Sequence, residues 1–97
     1  MEERRKVLEE AAAAQLAEWN AQMALLKAKA QQATVDAKVE YDKTLDFLQV
    51  QANLAKLKLD ELKAANEGAW ESLKVGSEKV WADVKLAFHD AAAKYQT

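Results

Sequence analysis

The sequence predicts an all-α protein in which a long, coiled-coil-like helix is followed by a shorter amphipathic helix. Helix-forming residues dominate the chain, proline is absent and only two glycines occur among its 97 residues. Apolar residues recur every three or four positions, and the alternation typical of strands is missing. A chain of this length forms one domain. Because 21 of its residues are alanine, which buries little area, we expect a second chain to supply part of the buried surface.

The first two-thirds of the chain carry one regular apolar series. Its mean spacing is about 3.5 residues, the value of a left-handed coiled coil. The pattern therefore predicts one long helix over residues 1–66. The members of this first apolar series are Leu16, Trp19, Met23, Leu26, Ala30, Ala33, Ala37, Tyr41, Leu45, Leu48, Ala52, Ala55, Leu59 and Leu62. We assign its four C-terminal leucines to self-association: Leu45, Leu48, Leu59 and Leu62.

A second apolar series lies on the opposite side of this helix, small in its N-terminal half and large in its C-terminal half. Its members are Ala17, Ala21, Ala24 and Ala28, then Val35 and Val39, then Phe47, Val50, Leu54 and Leu57. At 100° per residue, the large members lie roughly 160° from the first series. A helix that is apolar on two sides has to bury both. Antiparallel pairing of two chains would set the alanines against the large residues, which predicts an antiparallel homo-oligomer, with a dimer favoured.

A break between residues 31 and 36 is the alternative to a continuous helix. Thr34 is a candidate N-cap, and a turn there would give three segments of similar length, as in a three-helix bundle. No glycine or proline marks this stretch, and Val35 and Val39 continue the second apolar series through it. We favour the continuous helix and keep the three-helix bundle as the alternative.

The turn before the second helix is predicted at residues 67–69, because Gly68 suits the left-handed C′ position that ends a helix. A second helix over residues 70–96 follows. Its apolar face includes Trp70, Trp81 and Phe88, and Gly76 lies beside that face, where we expect it to allow close approach of a neighbouring helix. Folded back, this helix makes a helical hairpin. The hairpin leaves the N-terminal half of the long helix without an intrachain partner, which again predicts association.

The C-terminal helix also resembles a known sequence signature. The residues that carry the resemblance are Ala69-Trp70-Glu71-Ser72-Leu73-Lys74, Gly76, Glu78 and Trp81, with Trp19 and Ala37-Lys38-Val39-Glu40-Tyr41 upstream. In these positions the chain resembles short, uncharacterised bacterial coiled-coil proteins with a C-terminal AWExLKxGxExxW pattern. The resemblance implies a helical shape and implies no activity.

Nothing in the sequence predicts a catalytic, cofactor or metal site. His89 is the sole histidine, and Leu86 stands where a Glu-x-x-His metal motif needs its acid. Asp36 and Glu40 lie one turn apart, but the interleaved Lys38 makes them part of a solvated charged face. Cysteine is absent, and the net charge of −2 favours no nucleic acid. We therefore expect a protein that is not an enzyme.

The function that these observations predict is that of a non-catalytic structural or interaction protein, which self-associates through its helices. The alternative is an amphipathic helical protein that binds membrane surfaces reversibly or acts in stress protection, with Trp70, Trp81 and Phe88 as its contacts to lipid or to a partner. No apolar run is long enough to span a membrane, and no signal-peptide pattern opens the chain. A cytoplasmic location is therefore expected.

Overall fold

The computed structural model describes residues 2–95 and consists of three helices. They are α1 (Glu2–Gln31), α2 (Val35–Ala64) and α3 (Glu67–Lys94). Each helix runs antiparallel to the next, so that α1 and α3 point in the same direction. The molecule measures 52 × 19 × 19 Å, close to the length of one helix of this size at about 1.5 Å per residue. The described part of the chain is thus an all-α three-helix bundle without strands.

The break at residues 32–34 replaces the continuous helix that we favoured from the sequence. α1 ends at Gln31. Thr34 has extended backbone angles (φ −64°, ψ 164°), and its hydroxyl accepts a hydrogen bond from the Ala37 amide at 3.3 Å, which is N-cap geometry. A helix can end without glycine or proline when two conditions are met. A capping residue must start the next helix, and the apolar surface of the two helices must become buried when the chain reverses. The reversal packs α1 against α2. The N-terminal part of the chain therefore has an intrachain partner, which it lacks in the predicted hairpin.

The second break lies at Ala65 and Asn66, just before the predicted turn at residues 67–69. Ala65 ends α2 with extended backbone angles (φ −72°, ψ 144°), and the Asn66 side chain accepts a hydrogen bond from the Ala69 amide at 2.9 Å. Gly68 lies inside the first turn of α3, and neither glycine has a positive φ. The left-handed cap predicted for Gly68 is therefore absent, because Asn66 caps α3 directly after an extended residue.

Gly76 lies on an exposed part of α3, away from any neighbouring helix. A Cβ added to it would meet no heavy atom within 4 Å. The close approach that we expected at Gly76 is therefore not present, since the helices pack on the other side of α3. The described part of α3 ends at Lys94, and the predicted helix end at residue 96 lies outside the described residues.

The core is formed by one apolar stripe from each helix. Its buried members are Trp19, Met23 and Leu26 on α1, Leu48, Ala52 and Ala55 on α2, and Val84, Phe88 and Ala91 on α3. Those of α1 and α2 all belong to the first apolar series, which therefore faces inwards. The Trp19 ring stacks on Phe88 at 5.2 Å and 12°, and it meets Trp81 at 5.2 Å and 42°. Aromatic rings thus fill the space between α1 and α3.

At the end of the bundle where α1 begins, the Arg5 side chain joins all three helices. Its Nη2 lies within hydrogen-bonding distance of three carbonyl oxygens at the end of α2: those of Leu62 (2.9 Å), Lys63 (3.2 Å) and Ala65 (2.7 Å). Its Nε donates to Glu9 Oε2 at 2.8 Å, and the same Glu9 oxygen accepts a hydrogen bond from Trp70 Nε1 at 3.0 Å. Arg5 thereby satisfies carbonyls that a helix end leaves unpaired and places a cation at the negative end of the helix dipole.

Candidate association surface

Between residues 47 and 57 the outer side of α2 exposes four large apolar side chains, which we call the α2 outer face; Val35 and Val39 of the same series are exposed nearer the start of the helix. Phe47 is 52% exposed, Val50 56%, Leu54 41% and Leu57 60%. They are exposed because the core takes the opposite side of the same helix, where residues such as Ala55 are fully buried. α2 therefore has the two apolar faces that the sequence indicates, and the bundle covers only one of them.

The four leucines of the first apolar series that we assigned to self-association face the interior of the bundle instead. Leu48 and Leu59 are buried, with 2% and 4% of their surface exposed. Leu45 and Leu62 are half-buried. Because the chain reverses at residues 32–34, α1 and α3 pack against this side of α2 and enclose Leu48 and Leu59.

The aromatic residues that we predicted to contact lipid or a partner also lie within the bundle. Trp70 is 6% exposed and Phe88 is 1% exposed. The Trp70 indole N–H donates a hydrogen bond to the Glu9 carboxylate. Trp81 is half-buried beside Trp19. Trp70 and Phe88 on the apolar face of α3 are thus used for intrachain packing, while Trp81 keeps part of its ring exposed.

Two charged residues extend the α2 outer face, and our sequence analysis missed them. Lys43 lies four residues before Phe47, and Glu61 lies four residues after Leu57; both are exposed. With them, the exposed positions of this face step by four and three residues along residues 43–61, which is the a/d spacing of a coiled-coil seam. The signal for these two residues is in the sequence: the three- and four-residue spacing from Phe47 to Leu57, continued by one four-residue step in each direction, reaches Lys43 and Glu61.

A groove of about 490 Å³ runs between α2 and α3 beside the α2 outer face. Phe47 and Leu86 are among its lining residues, and Leu86 is 59% exposed. Asp83 and Lys94 also line it. The apolar surface around Phe47 therefore continues from α2 onto the edge of α3.

A second groove, of about 500 Å³, lies between α1 and α3, on the side of the bundle away from the α2 outer face. Leu8, Ala12 and Trp81 are among its lining residues. Ser77, a buried polar residue that also lines it, donates its hydroxyl to the Lys74 carbonyl at 3.0 Å. Across the described residues, no buried side-chain nitrogen or oxygen lacks a hydrogen-bond partner. The polar side chains at the rim of this groove, such as Glu78 and Lys85, are exposed to solvent.

Within residues 2–95, the structure shows no constellation suited to metal binding. No group of three or more His, Cys, Asp or Glu side chains comes together there. The side chain of His89 is 79% exposed, and its Nδ1 lies 3.7 Å from Asp90 Oδ1. Asp90 lines the groove between α2 and α3, and its side chain is also largely exposed. In the same part of the chain, no helix is both long enough and apolar enough to cross a membrane.

No protein-family model matches the chain, and no curated protein or solved structure matches it significantly. The resemblance to short bacterial coiled-coil proteins stays a prediction. Function is therefore inferred from the surface of the bundle itself.

Proposed function

We propose that this protein is a non-catalytic interaction protein that associates with a second copy of itself through the α2 outer face. The observation that carries the proposal is the exposure of Phe47, Val50, Leu54 and Leu57 in one continuous stripe. Single exposed apolar residues are common on protein surfaces and need no explanation. A contiguous apolar stripe marks a surface that another molecule covers.

The spacing of the stripe indicates that the covering surface is a helix. Side chains that recur at three and four residues insert into the holes between the side chains of a facing helix. A second copy of α2 presents the same spacing, with the large residues at the same positions. A helix from another copy therefore meets the geometric requirement of the α2 outer face.

Two copies of α2 close directly into a dimer through one surface, whereas α2 with α1 closes only through a ring or a reciprocal second contact. The alanines between Ala17 and Ala28 are exposed on α1, and in a continuous helix they would have faced the large residues of a second chain. In the bundle they lie on a different helix from Phe47 to Leu57. A single contact between α1 of one copy and α2 of another leaves one of the two surfaces free on each chain, while pairing α2 with α2 uses the same surface twice and forms a closed dimer.

The alternative function at a membrane surface receives no support from the arrangement of the aromatic residues. It depended on an apolar face of α3 that lipid could reach. Trp70 and Phe88 are buried in the bundle, so lipid could reach these two rings only after α3 separated from its neighbours.

A change of Phe47 or Leu54 to aspartate tests the proposal. Phe47 is 52% exposed and Leu54 is 41% exposed, so we expect each variant to stay helical. Each should lose the dimer, because a charged group in the seam would be buried without a partner. Molar mass by light scattering across a range of protein concentrations measures the association, and far-UV circular dichroism measures the helix content.

Val75→Asp is the matched control, because Val75 is 64% exposed but lies on α3. We expect this variant to associate as the parent chain does. A parent chain that is monomeric up to about 1 mM would contradict the proposal. So would an equal loss of association in Val75→Asp, which would place the interface elsewhere or make it nonspecific.

A further inference from the structure

We propose that two copies of the bundle pair their α2 helices antiparallel, about a two-fold axis beside residue 52, with Lys43 of each chain facing Glu61 of the other. This inference rests on the proposed self-association and adds to it the orientation, the register and the ion pairs that fix them. The features that point to it are the symmetry of the α2 outer face and the charges at its two ends.

The α2 outer face is symmetric about its own centre. Its seam positions are Lys43, Phe47, Val50, Leu54, Leu57 and Glu61. In an antiparallel coiled coil, residues at a positions of one helix form layers with residues at d positions of the other. With the two-fold axis beside residue 52, position 50 forms a layer with position 54 of the partner, position 47 with 57, and position 43 with 61. Every apolar residue of the stripe then faces another apolar residue.

The charges at the ends of the seam favour the antiparallel orientation over the parallel one. In the antiparallel pairing, Lys43 lies beside Glu61 of the partner subunit at both ends of the interface. In a parallel pairing in the same seam, Lys43 would lie beside Lys43 of the partner subunit, and the two Glu61 carboxylates would also meet. Like charges in facing positions select against the wrong orientation, and opposite charges select the right one.

The side chains at both ends are free to take part. Lys43 and Glu61 are exposed. Glu61 Oε1 lies 3.3 Å from Lys58 Nζ in the same chain, and the Glu61 side chain remains 49% exposed. A carboxylate has several acceptor positions, so Glu61 can receive the partner's lysine while it keeps its contact with Lys58.

The polar residues that flank the seam make one unfavourable contact in the antiparallel dimer. This contact provides a further way to distinguish the antiparallel register from the parallel one. Antiparallel pairing brings Asp46 close to Asp60 of the partner subunit along one edge. Asp60 already binds Lys56 within its own chain, at 3.0 Å between Nζ and Oδ2, which reduces the repulsion. Near the axis the edges carry Gln51 and Asn53, which are uncharged. Asp46→Lys should therefore tighten an antiparallel dimer, whereas in a parallel dimer position 46 would face the neutral Gln51.

Charge reversal at the ends of the seam provides the first test. Lys43→Glu and Glu61→Lys should each weaken the dimer, by about tenfold in dissociation constant at low salt, because each change sets like charges together at both ends. The double variant should recover the affinity of the parent chain, since it restores opposite charges with their places exchanged. Lys85→Glu is the matched control, because Lys85 is exposed and lines the groove on the far side of the bundle.

Disulfide trapping provides the second test, and it reads the orientation directly. The chain has no cysteine, so one introduced thiol reports a single position. In the antiparallel dimer two residues at position 43 lie about 27 Å apart along the helix axis, far beyond disulfide reach. Lys43→Cys alone should then form no disulfide, and neither should Glu61→Cys alone. A mixture of the two variants should form the mixed disulfide under mild oxidation, identified by its mass.

The outcomes separate this inference from the proposal on which it rests. A dimer with mixed disulfides and with recovery in the double charge variant supports both. A dimer in which Lys43→Cys cross-links to itself, or in which the single charge reversals leave the affinity unchanged, overturns the antiparallel register and leaves self-association standing. A parent chain that is monomeric at every concentration overturns both.

Discussion

Replacing Arg5 by alanine should destabilise the bundle far more than the same change at the neighbouring Arg4. The side chain of Arg5 is 16% exposed and that of its ion-pair partner Glu9 is 18% exposed, whereas Arg4 is exposed. Arg5 is also the residue through which α1 reaches the carbonyls at the end of α2. Removing it would separate the start of α1 from the connection between α2 and α3.

The magnitude follows from the contacts that would be lost. Nη2 carries two hydrogens, so it directs at most two strong hydrogen bonds at a time to the three carbonyl oxygens around it. A hydrogen bond from a charged donor contributes roughly 1.5 kcal/mol or more, but water can replace part of this at a helix end. The pair with Glu9 and the guanidinium 5.8 Å from the Trp70 ring centroid add about 1 kcal/mol. We therefore expect a loss of about 2–3 kcal/mol in the free energy of unfolding.

Urea unfolding followed by far-UV circular dichroism measures this loss. All variants are compared at one protein concentration, because dimer formation adds to the apparent stability. A loss of this size should lower the midpoint of thermal unfolding by about 10 °C or more in a domain of this length. Arg5→Lys should fall between the parent chain and Arg5→Ala, because lysine keeps the charge but lacks the fork of donors. If Arg5→Ala and Arg4→Ala lose equal stability, the contacts of Arg5 do not stabilise the bundle as we infer.

Four further substitutions test local features by the same unfolding measurement. Gly76→Ala should stabilise the protein by about 1 kcal/mol, since the position is helical and open; a destabilised variant would show that the glycine is needed. Asn66→Ala should cost about 1 kcal/mol and more than Thr34→Ala, because the cap hydrogen bond is 2.9 Å long at Asn66 and 3.3 Å at Thr34; the reverse order would contradict the cap geometry. Trp70→Phe should cost at least about 1 kcal/mol, because it removes the hydrogen bond to Glu9 and leaves a smaller ring at a buried position; unchanged stability would contradict both contributions.

The periodicity of the sequence predicts the all-α class and, for many side chains, whether they share the buried or the exposed side of a helix. Trp19, Met23, Leu26 and Leu48 belong to one series of three- and four-residue steps, and all of them are buried. The second series predicts a separate apolar face at Phe47 to Leu57, which the bundle leaves exposed. Both results follow because the period of a helix fixes which residues share a side, whatever that side later contacts.

The connections were harder to predict, because they depend on a few local contacts. Thr34 is a single cap residue without glycine or proline nearby, and whether a helix ends there depends on what the reversed chain can bury. Gly68 indicated a left-handed cap, but Asn66 starts α3 before that residue. The contact between Arg5 and the Ala65 carbonyl joins residues 60 positions apart, and no local pattern predicts it.

The topology of the bundle has a consequence for the order of folding and assembly. Close packing between helices occurs mainly between chain neighbours, α1 with α2 and α2 with α3. Domains rich in such local contacts fold within microseconds to milliseconds. Protein partners at micromolar concentration typically meet more slowly than this, since association rate constants are about 10⁵–10⁷ M⁻¹s⁻¹. Assembly should therefore begin from completed bundles, so that the refolding rate is independent of protein concentration while the rate of dimerisation rises with it.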